Sequence, residues 1–351
     1  MINNFFRRLF LSVTLLSLFA SLSVAQNSDV AKQTTSGNSR PKVALVLGGG
    51  GAKGAAEVGV LKYIEQSGVP VDMIVGTSIG SIVGGLYSVG YRAEQLDSMF
   101  RSQEWLDLLT GHDSNRSDKL YEKKDGVTYV LGFPIGSKRK PEDDSKISNY
   151  GIGLLKGDSI ENMLERMTQT PDSVAFDKLP IPYRCVAADI NSFEEVVLSS
   201  GNLNKSMRAS MAIPVVFRPV IINGRTLADG GMMNNLPVDV AKEMGADIVI
   251  AVDLSVNKQE HTRYDTDELF GDLKDLGVFK MLKWAIERPD KFKYKDNVEA
   301  ADIHIHPTLK GYSATDFSSK KISEMIAIGE KAGEQALPEL KKLKERLSNG
   351  K

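Results

Sequence analysis

Between Pro41 and Val89 the sequence twice passes from a short unbroken apolar run to a stretch with helical periodicity. Val43 to Leu47 is apolar throughout and ends in four glycines, the pattern of a strand buried on both faces that runs into a tight loop. Val58, Leu61 and Ile64 then recur at helical spacing, and Gly68 stands just beyond them as a stop. Met73 to Val75 repeats the strand pattern and breaks at Gly76. From Ser78 onward Ile79, Ile82, Val83, Leu86 and Tyr87 again keep helical spacing. Two strand-loop-helix units in succession predict an α/β fold built on a parallel sheet.

Further strands are expected at Tyr183 to Ala188, Glu195 to Leu198, Val220 to Ile222, Ile248 to Val252 and Asp302 to His306. Asp247 to Asp253 is apolar on both faces and reads as a central strand. Asn223-Gly224 predicts a tight hairpin after Val220 to Ile222. Near the end, Ile322, Met325, Ile326, Gly329, Ala332 and Ala336 describe a terminal helix, with Pro338 starting or kinking its last part. The expected architecture is three-layered, a largely parallel central sheet with helices on both faces.

Two regions depart from this rhythm. Gly111 to Asn149 is rich in Lys, Asp, Ser and Gly around a short apolar core, Val127 to Ile135, and reads as a surface insertion forming a hairpin over the site. At the start, Arg7 and Arg8 precede the apolar run Leu9 to Ala20, followed by Ser23-Val24-Ala25. That is the layout of a secretory signal peptide cleaved after Ala25, and the run is shorter than the roughly 20 residues a spanning helix needs. Residues 26–40 are polar and aperiodic, as in a flexible linker. The expected organisation is therefore signal peptide 1–25, linker 26–40, catalytic domain 41–312 and a C-terminal helical segment 313–351. Export would deliver the protein to the periplasm, the outer membrane or the medium.

Composition narrows the partners. The 351 residues carry a net charge of -1, which gives no electrostatic reason to expect nucleic acid. The one cysteine, Cys185, can form no intramolecular disulfide and sits in an apolar stretch, as a buried core thiol would.

Candidate chemistry begins at Gly76-Thr77-Ser78-Ile79-Gly80, which fits G-x-S-x-G between a buried strand and an amphipathic helix. A nucleophile elbow needs small neighbours because its serine occupies a strained turn, and its hydroxyl then lies at a helix N-terminus where the Ile79 amide can face a developing oxyanion. Gly48 to Gly54 contains G-x-G-x-x-G after a strand, but Lys53 is followed by Gly54 rather than the Ser or Thr of a P-loop. Asp72 precedes the second strand, where a dinucleotide site would want its acid at that strand's end. Bare glycine amides aimed at a negative oxygen suit acyl transfer better. Asp229-Gly230-Gly231 places an acid between an apolar strand and two glycines, which taken alone is also a common turn.

These motifs in this order resemble the patatin-like phospholipase family. Its G-G-G-x-[KR]-G loop corresponds to Gly49 to Gly54, its G-x-S-x-G to Gly76 to Gly80 and its D-G-[AG] to Asp229 to Gly231. Ala209-Ser210-Met211-Ala212-Ile213-Pro214 and Asn235-Leu236-Pro237-Val238 also look like bacterial, exported members. The resemblance implies a Ser78-Asp229 dyad, an oxyanion hole from the amides of Gly49, Gly50 and Gly51 with Ile79, and supporting roles for Lys53, Gly54, Gly76, Gly80, Gly230 and Gly231. It implies membrane phospholipids or other acyl lipids as substrates, with no metal or organic cofactor. It leaves the oligomeric state open, a homodimer included.

Two alternatives stand beside it. An α/β-hydrolase triad would run Ser78, Asp229 and then His304 or His306, while His112 and His261 lie in polar stretches. A non-catalytic lipid- or nucleotide-binding module would use the glycine loop alone. Glu268 to Lys295 interleaves apolar residues, Phe279 and Trp284 among them, with lysines, as either a core-packed or an interfacial helix does.

Overall fold

The structure is a computed structural model and describes residues 40–110, 122–124, 127–129, 153–255 and 293–349. The signal-peptide pattern, most of the linker, His112, His261, Phe279 and Trp284 lie outside the described residues. Pro41–Asn349 is grouped as one compact unit.

The apolar runs become strands because they are buried on both faces. β1 (Val43–Leu47) is wholly buried, and so are all five residues of β2 (Met73–Thr77). The remaining strands of the main sheet are β3 (Tyr183–Asp189), β4 (Glu194–Leu198), β5 (Val220–Ile222), β6 (Arg225–Asp229), β7 (Ile248–Val252) and β8 (Ile303–Ile305). Five run parallel in the order β3-β2-β1-β7-β8. β6 pairs antiparallel with residues 187–189 of β3, just past the stretch that β2 pairs, β5 pairs antiparallel with β6, and β4 pairs antiparallel with the other edge of β3. β7 is interior, as its pattern predicts. The β5-β6 hairpin turns through Asn223 (φ 51) and Gly224 (φ 77), both left-handed as a two-residue turn of this kind requires.

Helices cover both faces. The elements are α1 (Ala55–Ser67), α2 (Ile79–Ser88), α3 (Ala93–Ser102), α4 (Trp105–Thr110), α5 (Asp158–Thr168), α6 (Leu203–Ser210), α7 (Val238–Glu243), α8 (Tyr294–Ala300) and α9 (Ser319–Ser348). Val43, Leu45 and Leu47 of β1 pack with Leu61 of α1, Val83 of α2 and Ile326 of α9, whereas Ala44 and Val46 pack with Val240 of α7 and Tyr294 of α8. This is the expected three-layer arrangement. α9 continues through Pro338. It closes on α1 so tightly that a Cβ at Gly329 would lie 1.9 Å from the Ala56 carbonyl oxygen, so the C-terminal helix belongs to the same packed unit as the sheet. In the polar 111–149 stretch the described part is a short antiparallel pair, Glu122–Lys124 with Val127–Tyr129.

Helices α3 to α8 go beyond the elements expected from the sequence, although Ala93, Leu96 and Phe100 in α3 and Ile160, Met163 and Leu164 in α5 are buried at helical spacing. α6 is the harder case: it buries Asn204, Ser206, Arg208 and Ser210 along with Leu203 and Met207, so only two large apolar residues mark it. Its start is set instead by Asn202, whose side chain accepts the Lys205 amide.

The consequence for function is positional. β1 and β2 are adjacent and parallel, with Leu47 paired to Gly76, so the glycine loop and the Ser78 turn leave the sheet side by side at its carboxyl end.

Candidate active site

Ser78 follows β2 directly and caps α2 with φ 55 and ψ -123, a conformation a non-glycine residue adopts only when its surroundings impose it. The imposing contacts are close backbone packing. A Cβ at Gly80 would lie 2.4 Å from the Leu47 carbonyl oxygen, and one at Gly76 would lie 2.4 Å from the Gly80 carbonyl oxygen. A side chain at Gly80 would push the turn off β1, and one at Gly76 would push the start of α2 off β2. Thr77 adds a tether, its hydroxyl donating to the Asn234 carbonyl at 2.8 Å.

The Ser78 hydroxyl donates to Asp229 Oδ2 at 2.6 Å. Asp229 ends β6; its Oδ1 accepts the Gly231 amide at 2.8 Å, and its own amide donates to the Ala212 carbonyl at 2.9 Å. Gly230 lets this turn sit on β3, since a Cβ there would lie 2.2 Å from the Val186 carbonyl oxygen. Both side chains are nearly sealed, Ser78 at 5% and Asp229 at 6% exposure. Burial pushes the Asp229 carboxyl from 3.8 up to about 6, against the opposing pull of the hydrogen bonds from Ser78 and Gly231. The carboxylate is thereby made more basic while remaining ionised at neutral pH.

The glycine loop passes close beside the serine. A Cβ at Gly49 would meet the Asn235 side-chain oxygen at 2.3 Å and Ser78 Cβ at 3.1 Å, and one at Gly54 would strike Ile79 at 2.2 Å. One expectation is corrected here. The Gly49 amide is not a free donor, because it donates to the Asn235 carbonyl at 3.1 Å while Asn235 Nδ2 returns a bond to the Gly49 carbonyl. Among the described residues the Gly50 and Gly51 amides and the first amide of α2, that of Ile79, have no such partner. Lys53 is buried within the single turn Gly51–Gly54.

The two histidines among the described residues are turned elsewhere. His304 Nε2 lies 3.1 Å from Asp253 Oδ2, and His306 Nε2 lies 2.6 Å from the Ser255 carbonyl oxygen. Tyr294 and the Ser255 amide also bind Asp253. Burial alone would raise the Asp253 carboxyl, but the bonds from His304, Tyr294 and Ser255 and the nearby His306 together outweigh it and hold the group below the ordinary range. Cys185 is fully buried, and burial pushes its thiol up to about 11.

Sequence reasoning passed over the residues that hold this arrangement: Asn234, Asn235, Ser210 and Ala212. Ser210 Oγ accepts the Ser78 amide at 2.9 Å. Asn235 and Ser210 fall within the two segments that resemble bacterial family members, but their contacts bridge residues far apart in the chain.

Fold and site together define an α/β protein with a buried serine-aspartate pair beside a glycine loop. Residues 45–242 match the family described as patatin-like phospholipase, and the chain belongs to that family. The match takes in Ser78 and Asp229. The chain is 34% identical over 261 residues to human patatin-like phospholipase domain-containing protein 6, covering 73% of this chain and 16% of that protein. It is 34% identical over 219 residues to an uncharacterized NTE family protein of Mycobacterium tuberculosis, covering 62% of this chain and 51% of the other. It thus spans about half or less of the length of these relatives. Among solved structures, VipD from Legionella pneumophila superimposes with a TM-score of 0.49 at 16% identity, covering 86% of this chain and 67% of VipD.

Proposed function

We propose that the protein is a serine lipid acyl hydrolase acting on the acyl esters of membrane phospholipids or related lipids. The observation that carries the proposal is the 2.6 Å bond from the Ser78 hydroxyl to the buried Asp229 carboxylate, made from a strained turn at a helix N-terminus. Asp229 accepts the Ser78 proton as Oγ adds to the ester carbonyl carbon. The negative charge that develops on the carbonyl oxygen falls to the Gly50, Gly51 and Ile79 amides. Collapse of the tetrahedral species breaks the ester bond, and the proton held by Asp229 passes to the departing alkoxide. Water then adds to the acyl-serine, giving its proton to Asp229, and collapse releases the fatty acid and restores Ser78.

The absence of a histidine between serine and acid is supported by the engagement of His304 and His306 around Asp253 and Ser255. The test is mass-spectrometric product analysis on vesicles of mixed bacterial phospholipids. Free fatty acid and the matching lysolipid are expected from the wild type and not from Ser78→Ala; equal release by both would reject the proposal. The leader pattern through Ala25 supports export, and N-terminal sequencing of the protein recovered from its host should then begin at Gln26.

A further inference from the structure

We infer that Ser210 is a positioning residue for Ser78: its hydroxyl is a spacer inserted into the sheet at the point where the strand must release the nucleophile. The inference rests on the proposed role of Ser78. It begins from the β2-β3 ladder, which is parallel with Ile74 paired to Tyr183 and Thr77 to Val186. The Ile74 amide donates to the Pro182 carbonyl at 2.8 Å. Parallel ladders repeat every second residue, so the same pattern carried forward brings the Ser78 amide onto the Val186 carbonyl. That bond is replaced. The Ser78 amide donates instead to Ser210 Oγ at 2.9 Å, and the Ser210 hydroxyl donates to the Val186 carbonyl at 2.5 Å.

The directions are fixed by valence. Ser210 has one hydroxyl hydrogen, given to Val186, so the oxygen facing Ser78 can only accept. Three consequences follow. The two strands are held apart by one oxygen atom at the residue where β2 ends, which gives Ser78 room to leave extended backbone for φ 55. The buried amide of Ser78 and carbonyl of Val186 are both satisfied without contacting each other. The Ser78 amide is also occupied, which leaves the oxyanion to Gly50, Gly51 and Ile79.

Ser210 is itself anchored. It is fully buried at the end of α6, and two residues later the Ala212 carbonyl accepts the Asp229 amide at 2.9 Å. One corner of the chain therefore fixes Ser78 through a side chain and Asp229 through the backbone.

The test compares Ser210→Thr with Ser210→Val, which have nearly the same shape and differ in the hydroxyl. In the valine variant a methyl group fills the place of the hydroxyl but can neither accept from the Ser78 amide nor donate to the Val186 carbonyl, so the turn shifts and carries Oγ with it, and a displacement of about 1 Å costs on the order of 10²-fold in turnover. Ser210→Thr should therefore keep at least about a tenth of wild-type kcat on a short soluble ester, while Ser210→Val falls to about a hundredth. KM and the acid limb of the pH profile should be alike in the two variants, because neither substrate contacts nor Asp229 are altered; Tm should be lower for Ser210→Val, which leaves two buried polar groups without partners, so turnover is compared well below both melting temperatures. Fluorophosphonate labelling of Ser78 should slow in proportion to kcat. Equal kcat for the Thr and Val variants would overturn the inference, as would a Val deficit that appears in KM or comes with a displaced acid limb. Failure of the underlying proposal looks different: the wild type itself would neither hydrolyse ester nor label at Ser78.

Discussion

Asp229→Asn is expected to abolish turnover and yet make the protein more stable at alkaline pH. Burial holds the Asp229 carboxyl at about 6 rather than 3.8, so the folded state binds this proton more tightly than the unfolded chain does. Stability from that proton is fully present below pH 3.8 and is lost as pH rises through about 6. At about 1.36 kcal/mol per pKa unit, the ionised carboxylate costs the fold about 3 kcal/mol well above pH 6. Asparagine keeps an acceptor for the Gly231 amide and can donate to Ser78 Oγ, so most of that cost is removed and about 1–3 kcal/mol of net stabilisation is expected. For a domain of this size that corresponds to a Tm increase of roughly 2–6 °C at about pH 8, shrinking towards zero near about pH 4. Differential scanning calorimetry of both proteins across that range, with turnover of a soluble ester measured in parallel, reads both effects. A Tm difference independent of pH, or a variant less stable than wild type at pH 8, would refute the assignment of a buried, charged Asp229.

The kcat/KM profile of the wild type on a soluble ester should fall on the acid side with an apparent pKa of about 6 as Asp229 is protonated, and a flat profile down to about pH 4.5 would contradict its role as base. The double variant His304→Gln with His306→Gln should keep turnover within about threefold of wild type, since the proposed dyad uses no imidazole; a loss of a hundredfold would restore the triad. Glu57 lies fully buried in α1, neither carboxyl oxygen makes a hydrogen bond of good geometry, and burial raises its pKa well above the ordinary range despite the nearby Gly48 backbone. Glu57→Met should therefore raise Tm at neutral pH, by the equivalent of about 1 kcal/mol or more, and a lower Tm in thermal melts would show that the carboxyl has a partner.

The parallel core was legible because its strands are buried on both faces, so that Val43 to Leu47 and Ile248 to Val252 read as unbroken apolar runs. The Ser78 turn and the Asp229 turn were legible because close backbone packing demands glycine at 76, 80 and 230. What the pattern hid is polar and long-range. α6 buries hydrophilic side chains, and its Ser210 reaches a residue 132 positions away. The Gly49 amide looked free because its partner, the Asn235 carbonyl, is set by a turn distant in sequence. A backbone acceptor has no residue type to betray it. The ordering of Ser, Asp and His along the chain likewise fits a triad, and only the placement of β8 beside β7 shows that His304 faces Asp253 instead.

The central claim is that Ser78 is an activated nucleophile, and the most direct measurement is fluorophosphonate labelling followed by peptide mass spectrometry. The account predicts one adduct, mapped to Ser78, that is absent from Ser78→Ala and forms much more slowly in Asp229→Asn although both variants remain folded. A folded wild-type protein with no adduct on Ser78, or one labelled equally fast in Asp229→Asn, would contradict it.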